Sequence, residues 1–572
     1  MPHDHLPAWA RRVAARCLTR TVSTFVLHGN VRDLHPVRGR DGKTRYVPLR
    51  TFLADALFRD RDLVIFYDRS SGIRADTKRQ QQDLLRAADA YDALHGTQFS
   101  SAMPRDPRRA LHLLESYIRL RASDGKRIAL VIDFAETVVP ANDVGHMGAE
   151  DRYALVTLQK WSHDPQLLAS NVSICLVAEN LSELSPKLTK SPYVSSVEIP
   201  LPDTAERRRF IGDRLGEALR SEESDLNEES LAALTAGLSR LQLGRLLTEA
   251  GDQGQPLTAE FVKVRKKEVL QAEAHGLLEV VEPAYTLDHV AGHEAVKRRL
   301  RLASEALRSG RLEVLPMGYL LCGPVGTGKT FLATCFAGEV GIPCVKLRNF
   351  RSQWQGVTEA NLEKIFALLK AMWPVVVLVD EADAMLGDRD ARGDSGVSQR
   401  VFGALASFMG NTRYRGKIVW FLLTARPDLL PVDLKRQGRA EEHLALFYPE
   451  GPEETDALFR ALVRKTGIET EVESIHAYCP PGQRLSGADI EAVLTRARFR
   501  AAAERRERVT EDDLAQAFGD FIPPSYPLEI ELQNLVAVQE STSRELLPEA
   551  WRNTPREELS RRIREIKVLL DG

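Results

Sequence analysis

One eight-residue stretch constrains this chain more than any other. Residues 323–330 read Gly323-Pro324-Val325-Gly326-Thr327-Gly328-Lys329-Thr330 and fit the pattern G-x-x-x-x-G-K-[ST]. Glycines at these positions let backbone N–H groups curl around phosphates, and a helix starting just after them presents its positive end to the same anion. Lys329 is suited to neutralise β- and γ-phosphates, and the Thr330 hydroxyl to hold Mg²⁺. The loop needs a strand before it and a helix after it. The apolar run Met317–Gly323 and the helical pattern that follows supply both.

That requirement extends to the neighbourhood. Four more β-rich apolar runs follow, Pro343–Leu347, Val375–Glu381, Ile418–Ala425 and His443–Tyr448, with helical stretches between them. Leu362, Ile365, Phe366, Leu369 and Trp373 recur at helical spacing, as a core-facing stripe does. Strands alternating with helices imply right-handed crossovers and a parallel sheet covered on both faces. After Tyr448 the pattern turns helical. The first half repeats the plan more faintly, with runs at Phe25–Val31, Asp62–Asp68, Arg127–Asp133, Val172–Glu179 and Val194–Leu201, then helices over 204–275. The expected fold class is α/β: two tandem P-loop-type parallel-sheet domains, each followed by a helical lid, plus a short helical C-terminal extension. The expected boundaries are 1–203 and 204–275 for the first module, 276–287 for a linker, 288–448 and 449–525 for the second module, and 526–572 for the extension.

Val375–Val379 delivers Asp380-Glu381 to the end of a buried strand. Two adjacent carboxylates there can do different jobs, Asp380 holding Mg²⁺ and Glu381 polarising the attacking water. A second Gly-Lys-Thr, at Gly42-Lys43-Thr44, has Val37 where the earlier glycine is required and reads as a surface loop. Residues 6–20 carry Arg11, Arg12, Arg16 and Arg20 and could imitate a transit peptide, but the run directly into a strand favours a first amphipathic helix. Seventy-eight Lys+Arg against 80 Asp+Glu give a net charge of −2, which excludes a strongly basic nucleic-acid wrapper. The six cysteines form no C-x-x-C pair, as expected of reduced thiols in a cytoplasmic protein. No apolar run approaches the about 18 residues that would span a bilayer.

Taken in order, further motifs make residues 288–525 resemble an AAA+ ATPase module of the FtsH, Cdc48 and katanin type. Asp288-His289-Val290-Ala291-Gly292 resembles the family's opening segment, and Leu485-Ser486-Gly487-Ala488-Asp489 its lid motif. Ala425-Arg426-Pro427-Asp428 stands where Asn-Arg-Pro-Asp is usual, and Leu434-Lys435-Arg436-Gln437-Gly438-Arg439 resembles Leu-Arg-Pro-Gly-Arg. The resemblance implies ATP and Mg²⁺ as ligands. It implies a nucleotide site formed by Ala291, Gly292, residues 323–330, Phe331, Asp380, Gly487 and Ala488, with Thr330 and Asp380 on the metal. Lys329 and Glu381 are then catalytic, and Arg436 and Arg439 are arginine fingers reaching a neighbouring subunit. Fingers in trans imply an oligomer, most often a homo-hexamer. Ala425 lacks the donor of the usual sensor asparagine, which leaves Thr424 as a substitute or hydrolysis slow.

Ser352-Gln353-Trp354-Gln355-Gly356 resembles the family's aromatic–aliphatic–Gly pore loop, with Trp354 and Gly356 matching and Gln355 departing. The first half looks like a decayed copy. After Asp62–Asp68 the chain reads Arg69-Ser70-Ser71-Gly72-Ile73 without Gly-Lys-Thr, and Phe134 follows Asp133 where Glu381 follows Asp380. The expected function is Mg·ATP hydrolysis in a ring that remodels, unfolds or disassembles a protein substrate of unread identity. The alternative is a nucleotide-dependent assembly switch with slow hydrolysis and no threading. No H-E-x-x-H follows the module, so no fused protease is expected. Neither net charge nor a basic-aromatic stripe calls for nucleic acid.

Overall fold

The computed structural model describes residues 6–39, 42–142, 147–215, 226–252, 257–274, 276–348, 359–386, 397–479, 484–522 and 526–571. The chain forms two compact units, Met1–Leu270 with Glu359–Ala371, and Gln271–Thr358 with Met372–Gly572.

In the first unit the strands are β1 (Thr24–Gly29), β2 (Leu34–Arg38), β3 (Thr44–Pro48), β4 (Leu63–Asp68), β5 (Gly72–Ala75), β6 (Ile128–Ile132), β7 (Val172–Val177) and β8 (Val194–Ile199). Six of them make one sheet in the order β5-β4-β6-β7-β1-β8. Every pairing in it is parallel except β4 with β5. Successive side chains leave a strand on opposite faces. Ile65, Tyr67, Leu130 and Ile132 therefore enter one core, while Val64, Phe66, Ala129 and Val131 enter the other. Both faces being covered, every position of β6 can be apolar, and all five are buried. The Arg-rich segment near the N-terminus is the helix Ala8–Thr19, which buries Trp9, Ala10, Val13 and Ala14. Gly42 and Lys43 are exposed ahead of β3, which pairs antiparallel with β2.

In the second unit the strands are β9 (Leu278–Val281), β10 (Gly318–Cys322), β11 (Cys344–Leu347), β12 (Val375–Val379), β13 (Ile418–Thr424) and β14 (Glu442–Ala445), ordered β14-β10-β13-β12-β11-β9. All neighbours are parallel except β11 with β9. The stretch 276–287, expected to be a linker, thus contributes an edge strand. Four residues of β9 satisfy the backbone groups that β11 would otherwise leave open. Trp373 does not belong to the helical stripe. It follows the helix Glu359–Met372, is 48% exposed, and carries the Lys417 ammonium 4.6 Å above its ring.

Strand for strand, β8-β1-β7-β6-β4 repeats β14-β10-β13-β12-β11. This corrects one sequence inference. The strand matching β10 is β1, so the first unit's counterpart of the phosphate loop is Gly29–Asp33 and not Arg69–Ile73. An apolar run announces a strand but not its rank in the sheet, and rank is what locates the loop.

Beyond β14, the helices Gly451–Thr466, Gly487–Ala503 and Glu511–Asp520 enclose their own apolar core. The helices Pro527–Glu540 and Arg556–Asp571 pack onto the sheet, sharing a core with Cys322, Ala445 and Phe447. Among the described residues no helix is long and apolar enough to cross a membrane.

Candidate functional site

The loop 323–330 joins β10 to the helix Lys329–Val340, whose first turn faces the cradle. Two of its glycines are sterically required. Gly323 has φ +141°, and a Cβ there would lie 2.0 Å from the Leu446 carbonyl oxygen. Gly326 has φ +82°, and a Cβ would lie 2.8 Å from Ser486 Cβ. The loop is also pinned from outside. Tyr448 donates its hydroxyl to Val325 O at 2.8 Å, and Val325 N–H donates to Gln533 Oε1 at 3.1 Å. Lys329 donates to the carbonyls of Gly323 and Pro324, each at 2.8 Å. Burial holds its pKa down at about 8, so a charged lysine waits in a poorly solvated place for an anionic partner.

The strand β12 ends where the sequence predicts, with all five of its residues buried. Thr330 donates to Asp380 Oδ2 at 3.2 Å, so the hydroxyl and carboxylate expected to hold Mg²⁺ are side by side. This pair of hard oxygen donors fits that ion. Lys346, on β11, also reaches Asp380 Oδ2 at 2.7 Å. Sequence reasoning missed it, and the only available signal was a lysine inside a short buried strand. Glu381 is exposed at φ +48° and donates its own N–H to Asp380 Oδ1 at 3.1 Å. A non-glycine residue in the left-handed region is uncommon and concentrates at functional sites. The Glu381 side chain is exposed, while the Asp380 carboxylate is engaged by Thr330 and Lys346.

A cavity of about 490 Å³ opens beside the loop, lined by Ala291, Gly292, Phe331, Tyr448, Gly487 and Ala488. The helix Gly487–Ala503 is started by a Ser486–Asp489 capping box, and Gly487 N–H donates to Gly326 O at 3.2 Å. Its positive end therefore also faces the loop. His293 lines the same cavity and is kept neutral by burial, its pKa lowered to about 4. So does Leu546, from between the two C-terminal helices, a contribution with no sequence motif to announce it.

Arg436 and Arg439 are placed differently. The Arg436 side chain is 59% exposed and pairs with Asp433 at 2.8 Å. Arg439 is buried and turned inward, donating to Asp433 O at 2.7 Å and pairing with the Asp433 carboxylate. In this arrangement it braces the segment, and Arg436 is the one that can reach outward. Thr424 is equally committed. It donates to Asp383 Oδ1 at 2.5 Å and accepts from Arg426 N at 2.8 Å, so its hydroxyl does not stand in for the missing asparagine donor. Trp354, Gln355 and Gly356 lie outside the described residues.

The first unit has the same strand end with different chemistry. Phe134 sits at φ +50° after Asp133, matching Glu381 after Asp380 in backbone but offering no carboxylate. Arg32, from the loop after β1, pairs with Asp133 at 2.9 Å and Glu179 at 3.4 Å, its guanidinium 3.9 Å over the Phe134 ring. The nearby Asp33 carboxylate caps the helix Arg240–Asp252, accepting from Arg240 N at 3.1 Å and Leu241 N at 2.8 Å. Protein side chains thus pair with one another around this strand end of the first unit.

Comparison with known proteins gives three family matches. Residues 1–200 match the family described as AAA+ chaperone, N-terminal Rossmann-like domain, and 205–275 that described as AAA+ chaperone, second helical domain. Residues 319–448 match the ATPase family associated with various cellular activities (AAA). Similar curated proteins include a Cell division cycle protein 48 homolog of Archaeoglobus fulgidus, 28% identical over 54% of this chain and 45% of that protein. The ATP-dependent zinc metalloprotease FtsH 1 of Salinibacter ruber is 32% identical over 41% of this chain and 35% of its own length. The uncharacterized AAA domain-containing protein ycf46 of Guillardia theta is 26% identical over 62% and 70%, respectively. The chain spans less than half the length of the first two.

Proposed function

Since the chain belongs to the AAA+ ATPases, we propose that it hydrolyses Mg·ATP in its second unit and uses the cycle to remodel a protein substrate. One observation carries this reading: Lys329 folds back onto the glycine loop while Thr330 beside it bonds Asp380 at the end of β12, with Glu381 next in the chain. Lys329 binds and neutralises the β- and γ-phosphates. Thr330 and Asp380 hold Mg²⁺, which when bound offsets charge on those phosphates. The base and ribose lie in the cavity by Ala291, Gly292, Phe331, Gly487 and Ala488. Glu381 orients the attacking water and accepts its proton. Oxygen then bonds to the γ-phosphorus as the bond to the ADP oxygen breaks, giving ADP and phosphate.

Arg436 acts on a neighbouring subunit's nucleotide in a homo-hexameric, cytoplasmic ring, with Arg439 holding its segment in place. The modules divide as 1–203 and 204–275, a degenerate α/β domain and its lid, and 288–448 and 449–525, the active core and its lid, with 526–572 appended. Trp354, with Gln355 and Gly356, grips the polypeptide in the pore.

A second reading is a nucleotide-dependent assembly switch with slow hydrolysis. Two contacts favour it: Lys346 already occupies Asp380, and Thr424 cannot serve as a water-orienting donor. Substrate-stimulated turnover separates the two. Remodelling predicts ATPase activity that rises with an unfolded protein substrate and loses that rise in Trp354→Ala. The same basal rate with and without substrate would favour the switch.

A further inference from the structure

The segment bearing Arg436 is held from an unexpected quarter, the C-terminal helix pair. His443, on β14, is buried with hydrogen-bond acceptors on both sides of its ring. Nδ1 lies 2.9 Å from Glu540 O and 3.4 Å from the Glu540 carboxylate. Nε2 lies 3.1 Å from Lys435 O and 3.0 Å from Ala440 O. A neutral imidazole has one N–H and would turn a lone pair toward one set of these oxygens. Only the imidazolium satisfies both. Although burial lowers its pKa, hydrogen bonds to Glu540 outweigh that and raise it.

The ring therefore pins the carbonyls on both flanks of the 436–439 stretch to the end of the helix Pro527–Glu540. Glu540 completes the clip by pairing with Lys435, whose ammonium also donates to Pro427 O at 3.0 Å. His443 N–H donates to Thr542 Oγ1 at 3.0 Å. From the second C-terminal helix, Lys567 reaches Asp428 at 2.7 Å, and Asp428 takes Arg426 in a two-point pair at 3.0 Å.

We infer that His443 and Glu540 are positioning residues for Arg436, making the C-terminal helix pair part of the half-site that each subunit offers its neighbour. This inference rests on the reading of Arg436 as a finger acting in trans. A misplaced finger costs transition-state stabilisation while leaving the subunit's own pocket intact.

The test uses the full chain with His443→Gln and, as a near-isosteric second variant should the first fail to fold, Glu540→Gln. Each should keep nucleotide affinity and KM within a few-fold and lose about ten- to a hundredfold in kcat. Each should regain turnover when mixed with Lys329→Ala subunits, which bind nucleotide far more weakly but carry a well-placed finger. Arg436→Ala mixed with Lys329→Ala runs in parallel. Recovery in both kinds of mixture supports the inference. Recovery with Arg436→Ala alone overturns it and leaves the finger reading standing, as does wild-type kcat in Glu540→Gln. Recovery in neither mixture overturns the finger reading and this inference with it.

Discussion

Raising the pH should weaken nucleotide binding through Lys329 before anything else in the second unit gives way. Its pKa is pulled from 10.5 to about 8 by burial. A displacement of that size disfavours the charged form by about 3 kcal/mol. The phosphates of a bound nucleotide supply the missing counter-charge and push the pKa back up, so binding above pH 8 must take up a proton. Below about pH 8 the lysine is already charged and affinity should be flat. Above it, affinity should fall by about tenfold at pH 9 and about a hundredfold at pH 10, approaching one decade per pH unit. Fluorescent-nucleotide titrations of Glu381→Gln, which remove hydrolysis from the measurement, would read this directly. Lys329→Ala should bind far more weakly at every pH and show no such slope. Constant affinity from pH 7 to 9.5 in a chain that remains folded would refute the argument, because it would mean the lysine is fully charged before nucleotide arrives.

Glu381→Gln should bind nucleotide normally and hydrolyse it at least about a hundredfold more slowly, measured by single-turnover phosphate release. Gly323→Ala should destabilise the second unit by at least about 2 kcal/mol, seen in thermal melting, because its Cβ would meet Leu446 O at 2.0 Å and φ +141° is hostile to L side chains. Phe134→Glu should leave the first unit without nucleotide affinity. It supplies the carboxylate but not the anion cradle, and Arg32 remains paired with Asp133 and Glu179; calorimetry on a Phe134→Glu, Lys329→Ala double variant checks this.

Much of this protein could be read directly from the chain. A fixed spacing of glycines and Lys329 commits the backbone locally, and runs such as Val375–Val379 are apolar at every position because a parallel sheet buries both faces. Those signals are short-range, and they located the glycine loop between a strand and a helix, the acidic strand end and the mutually parallel strands of both sheets, but not the antiparallel strands β2, β3, β5 and β9. Strand rank was another matter. That β1 and not β4 is the counterpart of β10 depends on which strands hydrogen-bond across the sheet, a long-range choice that no local pattern encodes. The same holds for polar side chains whose partners lie far along the chain. Lys346 meets Asp380, Gln533 meets the Val325 amide, and His443 meets Glu540 only because packing brings their elements together. The sequence presented Arg436 and Arg439 as equivalents. Folding buried one against Asp433 and left the other exposed, since a guanidinium is hydrated on a surface and must find acceptors when it is enclosed.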